Sequence, residues 1–583
     1  MPKIPSLQQL FTGLAVTLKR FPLEMLVSIV GSVAFMLLIE NSYEEDIRRE
    51  FLIRLMLVSI LGLTLLLSTS LYAERKNLSD KNSILLKVCA ALLVVGFFFF
   101  LKPIDSIVNV FRFGFLIVAF HLLVSFAPFI GEKNVAAFWE YNKRLFLRIL
   151  LSALYSTVLY GGLCIALLSV DTLFNLDFDE TLFGDLAAIV YGIFNTAFFL
   201  AGVPANWGEL EESHVYPKGL KIFTQFVLIP LATIYFCILL AYEGKLIITW
   251  SLPEGLVSSL VLGYAVYGIL AILLVYPVRN EADNKWIQTF ARLFYVLLIP
   301  LILLLAIAIF TRVIEYGITE PRYILVVLSI WLTGITAYFL LSRSQNIKVI
   351  PISLCIVALI SVWGPQSATY ISMRSQMNAL ISVFEKNNAY ADGIFNTLPS
   401  TASKEDAEQA DDIIHFIVNR GSFEPFRNHI HANVDSLDNI TEKSQYTRRN
   451  VMTRILGVST SNQSDYLYYT ANSNTDTISI QHYDYLTRVH YSEYDDDSIF
   501  AWDTTAVSLN FKISGDSVHF ELKELFDRVK IEDSKKNTVE MNDLKTSFTS
   551  RKATYSLVFD NISFAVRDGK YELKDFNGLF AGG

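Results

Sequence analysis

Charged residues are scarce in this chain. Asp, Glu, Lys and Arg make up 18% of its 583 residues, while apolar residues make up 53%. A soluble globular chain carries about 25% charged residues, so the length does not translate into a set of soluble domains, and disordered, collagenous and disulfide-scaffold classes are excluded as well. Cysteine is scarcer still: Cys89, Cys164, Cys237 and Cys355 all lie in apolar stretches, and none follows residue 364. Disulfides therefore cannot hold the C-terminal part together, and zinc-finger or CxxC redox chemistry has no ligands to work with. The P-loop, the GxGxxG turn, HExxH and the GxSxG elbow are missing, which argues against an ATP-driven pump and the common hydrolases. No catalytic residue, metal site or cofactor is expected.

What is present is a series of apolar runs, each about 17–25 residues long as a bilayer requires. They lie near 21–39, 51–73, 83–101, 109–129, 145–169, 184–203, 220–241, 255–277, 289–311, 322–342 and 348–364, the last being short and containing Pro351. Residues 1–364 hold 26 Lys and Arg against 25 Asp and Glu, whereas residues 365–583 hold 22 against 31. The predicted fold class is an α-helical polytopic membrane bundle of about eleven transmembrane helices followed by a soluble α+β domain. The expected organisation is an interfacial amphipathic helix over 1–20, the bundle over 21–364 and an acidic domain over 365–583. Ser6 and Gln9 have capping-box spacing at the start of the first helix, and Leu7, Leu10, Phe11, Leu14 and Leu18 share one face of it. An acidic domain without Lys and Arg clusters is not a nucleic-acid partner. The lipid bilayer is the partner that composition demands.

Orientation follows from basic residues in the short loops. With the N-terminus in the cytoplasm, fourteen Lys and Arg fall on the cytoplasmic side, among them Arg20, Arg75, Lys76, Lys143, Arg144, Arg279 and Lys348, and only Arg48, Arg49, Lys102 and Lys245 fall on the other. The loop from Asp171 to Gly184 carries four acids and no base, as an outside loop should. Eleven spans then put residues 365–583 in the periplasm of a bacterial inner membrane, and ten or twelve would put them in the cytoplasm. Trp139, Trp207, Trp250, Trp286 and Trp363 fall near predicted span ends, the positions of an interfacial aromatic belt.

In the C-terminal part, helices are expected over 367–388, Thr401–Arg420 with Ser403 as cap, and 441–456. Strands are expected over 465–470, 476–489 and 505–513. The strongest hairpin pattern covers 554–575: Tyr555, Leu557 and Phe559 alternate, then Ile562, Phe564 and Val566, and Asp568-Gly569 supplies the turn.

Candidate binding residues are few. His121 sits near the centre of the span Phe111–Phe129, where an ionisable group marks function by default; a structural hydrogen bond to a neighbouring helix is the plainer reading. Glu24, Arg54, Lys87, Arg112, Arg148, Arg292 and Arg312 lie near span ends, where snorkelling accounts for them. The motif LIPL occurs at 228–231 and again at 298–301, and Gly268-Ile269 has a counterpart in Gly334-Ile335. Pro230 and Pro300 are therefore candidate kinks in a parallel repeat of helix pairs. The segment from Arg312 to Tyr323 is dense in charge, with Arg312, Glu315, Glu320 and Arg322 able to pair, Gly317 to turn and Thr319 to cap. It reads as a rigid turn or a ligand site. His429, His431 and Asp435, and the run Asp495–Asp497, are weak metal patterns.

Several of these stretches resemble a bacterial family known only as domain of unknown function 4153, in a Bacteroidota-like form. The resembling segments are Phe138–Phe146 (FWEYNKRLF), Tyr160–Ala166 (YGGLCIA), Tyr216–Leu220 (YPKGL), Glu315–Tyr323 (EYGITEPRY) and Gly364–Ala368 (GPQSA) leading to Ser375-Gln376. The resemblance implies a polytopic envelope protein and carries no activity, cofactor or catalytic residue with it. The function expected is a non-enzymatic envelope component that anchors a periplasmic interaction or sensing domain. The alternatives are a transporter or channel using the proline-kinked helices and, behind it, a membrane-embedded enzyme of envelope lipids.

Overall fold

The structure, a computed structural model, describes residues 7–40, 46–101, 107–212, 216, 218–249, 256–280, 285–342, 345–420, 423–435, 437, 445–458, 467–471, 485–492, 501–503, 506–513, 516–526, 538–539, 544–549, 554–567 and 570–582. The chain forms two compact units, Met1–Thr397 with Asp412–Leu456, and Leu398–Asp411 with Gly457–Gly583.

The first unit is helical. It runs through α1 (Leu7–Arg20), α2 (Pro22–Glu40), α3 (Asp46–Arg75), α4 (Asp80–Phe100), α5 (Ile107–Phe126) and α6 (Val135–Phe174). Two broken helices follow. In the first, α7 (Thr181–Ala187) passes through a π-helical turn, Ala188–Phe194, into α8 (Asn195–Ala201). After the short α9 (Trp207–Glu212), α10 (Lys218–Phe223) passes through a second π-turn, Thr224–Leu228, into α11 (Ile229–Thr249). Then come α12 (Leu256–Val275), α13 (Lys285–Tyr316), α14 (Glu320–Leu341), α15 (Val349–Ile360) and α16 (Ala368–Lys386). Among the described residues, ten helices are long and apolar enough to cross a membrane. Their outer faces are apolar as well: Leu154, Val158 and Ile165 of α6 are 57, 65 and 67% exposed. Such surfaces are stable against hydrocarbon, and a helix satisfies its own backbone there.

The eleventh predicted run forms α15, which has only 12 residues, because the chain turns at Gly364 with φ +94°. It nevertheless lies antiparallel beside α14 along a ladder of three polar contacts. The Asn346 amide donates to the Tyr338 hydroxyl (3.0 Å), Trp331 Nε1 donates to Ser353 Oγ (2.9 Å), and the Tyr323 hydroxyl meets Ser361 Oγ (3.3 Å). From Tyr338 to Tyr323 is about 22 Å of helix, so α15 and its flanks carry the chain from one end of α14 to the other.

The change in charge at residue 364 and the break in packing do not coincide, because residues 365–397 and 412–456 pack in the helical unit. The expected helices are there: α16, capped by Ser367 and followed by the short antiparallel pair β1 (Tyr390–Ala391) and β2 (Ile394–Phe395); α17 (Lys404–Val418), capped by Ser403 through the Asp406 amide; and α18 (Gln445–Ile455). Trp139 departs from the belt expectation: it is 8% exposed, and Nε1 donates to the Leu273 carbonyl. The side chains of Leu7, Leu10, Phe11 and Leu14, on which the amphipathic reading of α1 rests, lie outside the described residues, as do Ser6, Trp250, the side chain of Trp286, Asp495–Asp497 and Asp568-Gly569.

The second unit is built on strands. The larger sheet has the order β4 (Tyr485–Ser492), β11 (Lys570–Gly582), β10 (Thr554–Arg567), β3 (Leu467–Ala471), β8 (Thr538–Val539), with β9 (Lys545–Thr549) also pairing with β10. A three-stranded sheet joins β5 (Ala501–Asp503), β6 (Ser508–Ile513) and β7 (Asp516–Glu521). The hairpin of β10 and β11 pairs Tyr555 with Gly582 and Arg567 with Lys570. Its register shifts between Phe559 and Asn561, where the alternation of apolar residues changes phase. Leu557, Phe559, Ile562 and Phe564 are all fully buried as a result.

The proposed repeat gives a paired prediction. A Cβ on Gly268 would lie 2.0 Å from the ring of Phe294, itself 2% exposed, whereas a Cβ on Gly334 meets nothing within 4 Å. Gly268→Ala is expected to lower stability by about 1–3 kcal/mol through overpacking, and Gly334→Ala to leave it within about 0.5 kcal/mol. Thermal melting of the two purified variants distinguishes them, and equal loss would refute the packing argument.

Candidate functional site

Polar chemistry concentrates at the two ends of the helical unit. At the first, Arg20 closes α1 and forks onto Glu74: Nε and Nη2 donate to its two carboxylate oxygens at 3.0 and 2.8 Å. The same guanidinium donates to the carbonyls of Val203 and Pro204, both at 2.7 Å. The next two residues of the chain continue the network, Arg75 to Glu211 at 2.5 Å and Lys76 to Glu132 at 2.6 Å. The Lys76 ammonium holds the Glu132 carboxyl below the usual carboxylate range. Lys348 Nζ donates to the Glu132 carbonyl at 2.7 Å and lies 5.7 Å from the Phe129 ring centroid. On α6, Glu140 is 5% exposed and accepts from Lys143 Nζ (2.6 Å) and Arg144 Nε (2.9 Å). Arg75 also faces the rings of Phe129 and Trp207. Arginine forks and ring faces suit each other here, because guanidinium is planar and weakly hydrated.

At the opposite end stands the turn between α13 and α14. Gly317 has φ +69°, a left-handed conformation that an L side chain resists. Arg322 Nη1 donates to the carbonyls of Tyr316 (3.1 Å) and Gly317 (2.8 Å). From α16, Gln376 Nε2 donates to the carbonyls of Tyr316 (2.9 Å) and Ile318 (3.2 Å), and Ser375 Oγ accepts from the Ile318 amide (2.8 Å). Thr319 takes the cap position without a side-chain hydrogen bond. Glu320 does not pair within the turn. It is fully buried and forks with Arg420, at 2.7 and 2.5 Å. Arg420 also donates to the Phe416 carbonyl and lies over the Phe416 ring. Arg312, half-buried, and Glu315, exposed, remain on the outside of the turn. The turn is a rigid joint between α13, α14 and the chain that follows.

The other predicted residues are dispersed. His121 is exposed on α5, and its Nδ1 lies 2.7 Å from the Ile117 carbonyl of its own helix. Pro230 is exposed and follows a π-turn, whereas Pro300 lies inside the continuous α13 between the fully buried Leu298 and Leu301. The two LIPL motifs therefore occupy different backbones. Among the near-end ions, Glu24 and Arg148 do not snorkel: Glu24 is 1% exposed and accepts from Ser70 Oγ at 2.6 Å, and Arg148 turns inward to the Phe198 carbonyl. His429 is engaged by the Tyr390 hydroxyl and the Gly393 carbonyl, and Asp435 by Arg427. Among the described residues, no group of three or more His, Cys, Asp or Glu could hold a metal ion.

A cavity of about 520 Å³ opens between α2, α3 and the first π-turn, with Ser28, Ser32, Ser59, Tyr191, Asn195 and Thr196 in its wall. Ser28 donates to the Gly192 carbonyl, Ser32 to the Ser28 carbonyl and Ser59 to the Leu55 carbonyl. A Cβ on Gly192 would lie 1.9 Å from Ser32 Oγ, so glycine is what lets α2 approach this turn.

Ten apolar helices among the described residues, with ions at their ends, define a multi-pass membrane protein. The chain belongs to the family described as Domain of unknown function (DUF4153), whose model matches residues 25–375. It is also similar to the "Uncharacterized protein PM1469" of Pasteurella multocida (strain Pm70), with 26% identity over 414 residues, 68% of this chain. That match spans 66% of the relative, just under two thirds of its length. No solved structure matches the chain. The family model takes in both the Glu140 network and the Glu320 turn.

Sequence reasoning placed Arg20 only among the cytoplasmic bases and did not single out Glu74 or Arg420. It also missed the role of Glu140, although its spacing of three and four residues to Lys143 and Arg144 is a helix-face signal. Nothing local in the sequence pairs Arg420 with a carboxylate 100 residues earlier.

Proposed function

We propose that the protein is a non-enzymatic component of the bacterial inner membrane, a multi-span anchor that presents residues 365–583 on the periplasmic side as an interaction or sensing surface. The observation that carries this reading is the route of the chain around α15. Lys348, before it, contacts Glu132 in the end rich in Arg and Lys. Gln366, after it, accepts from Tyr323 at the opposite end, where Arg420 holds Glu320. The excess of basic residues favours the cytoplasm for the first end, which leaves the acidic part outside and the N-terminus inside. The clamp of Gln376, Ser375 and Arg420 on one turn supports an anchoring role, since it fixes the chain leaving the membrane.

The test is a pair of reporters fused after Gly583, alkaline phosphatase and green fluorescent protein. Active phosphatase and dark fluorescent protein are expected; the reverse pattern overturns the orientation. Crosslinking in cells should capture partners through residues 365–583, and a protein that stays alone in crosslinked cells and in mild detergent is not an anchor for anything. A second reading, transport, is favoured by one feature, the cavity against the π-turn of α7 and α8. Solute flux in proteoliposomes that falls on Gly192→Val would support it.

A further inference from the structure

A second cavity, of about 490 Å³, lies where α12, α13 and α14 meet at the basic end. Its floor is apolar: Ile272, Tyr295, Phe339 and Ile350 are each at least nine-tenths buried. Its polar wall is made of Arg279, Arg292, Gln288 and Gln345, and no acid stands among the described lining residues. That sets it apart from its surroundings. Arg20, Arg75 and Arg144 at the same end each face a carboxylate. Arg279 is instead held by neutral groups. Its guanidinium lies 3.8 Å from the Tyr276 ring centroid, Nη1 donates to Gln345 Oε1 and Nη2 to the Tyr276 hydroxyl, both at 3.2 Å. Gln288 Nε2 donates to the Arg279 carbonyl at 2.9 Å and so fixes the backbone that carries it. Arg292, one helical turn after Gln288, lines the same cavity and is exposed.

We propose that this cavity binds a phosphate-bearing anion between Arg279 and Arg292. Two guanidiniums present planar pairs of donors matched to phosphate oxygens. They leave a local charge of two that the lining does not neutralise. The apolar floor below them is what an acyl chain requires, and a basic pocket between membrane helices at their ends suits an anionic headgroup. The source favoured by the floor is therefore a phospholipid rather than a free phosphate.

The experiment uses the full chain, delipidated in detergent, with phosphatidylglycerol, phosphatidylcholine and inorganic phosphate as separate probes. Native mass spectrometry is expected to find phosphatidylglycerol retained in preference to phosphatidylcholine. The variant R279Q/R292Q should retain at least tenfold less, R279K/R292K should keep part of the binding, and K133Q, which removes an exposed charge from the same end, should behave as the parent. Radiolabelled orthophosphate bound by the parent and lost in R279Q/R292Q, without lipid retention, upholds the anion site and assigns it to a soluble phosphate. Equal lipid and phosphate binding by the parent and R279Q/R292Q overturns the proposal, as does an equal fall in K133Q. Where R279Q/R292Q melts lower than the parent in the lipid-free state, R292Q alone carries the test.

Discussion

Replacing Arg420 by alanine is expected to destabilise the helical unit by about 3–5 kcal/mol, among the largest effects a single substitution can have here. Its partner Glu320 is fully buried, and the Arg420 side chain is 7% exposed. The Glu320 carboxylate has given up hydration that Arg420 replaces through two parallel N–H···O bonds. Without Arg420, the Glu320 carboxylate loses the cation it faces. Glu320→Ala leaves the guanidinium in the converse position and should be comparably harmful. The diagnostic variant is the apolar double replacement, E320L/R420M. Removing both charges removes both desolvation penalties, so it should be milder than either single alanine variant. Melting of the purified full chain, together with protease sensitivity of residues 412–456, gives the ranking. A double variant whose loss equals the sum of the two singles would mean the residues do not act as a pair.

Much of this fold was legible in the sequence. A membrane helix must satisfy its own backbone and be apolar over its length, so spans such as 145–169 and 289–311 announce themselves as parts of α6 and α13. The hairpin of β10 and β11 was legible too, down to the change of phase between Phe559 and Ile562 that the register shift accommodates. The two π-turns were not, since a π-turn leaves no compositional mark: Tyr191 and Gln225 read equally well as ordinary helix residues. Nor was the true edge of the helical unit. Composition at residue 364 reports where the long apolar runs end. Packing extends beyond it through Gln376 and Arg420, whose partners are tens of residues away in the chain. The density of charge from Arg312 to Tyr323 is plain in the sequence, but not which groups pair. Burial decides the pairing instead. Glu320 needs a cation that comes with it into the interior, and Arg322 finds the freed carbonyls of Tyr316 and Gly317 closer to hand.

Glu140→Ala is expected to be the second severe substitution, and its damage should come through Lys143 rather than Arg144. Both bases bond the Glu140 carboxylate, but Lys143 has a 9% exposed side chain and Arg144 a 34% exposed one. Arg144 also has the exposed Glu209 carboxylate within 3.7 Å. Removing Glu140 therefore leaves one buried ammonium facing only the Trp139 ring, 5.2 Å from its centroid. Breaking one side of such a buried pair costs about 3–5 kcal/mol, whereas Arg144→Ala, which removes a half-solvated ion, should cost about 1 kcal/mol or less. The order expected in thermal melting is E140A far below R144A, with E140A/K143M recovering most of the difference because the stranded charge is then gone. Lys143 has a flexible stem that reaches water if the helix end can open. In that case E140A falls only as far as R144A and the Lys143 replacement recovers nothing. The comparison thus measures whether this end of the membrane helices is a closed ionic seal or a solvated rim, and a closed seal is what the 5% exposure of Glu140 requires.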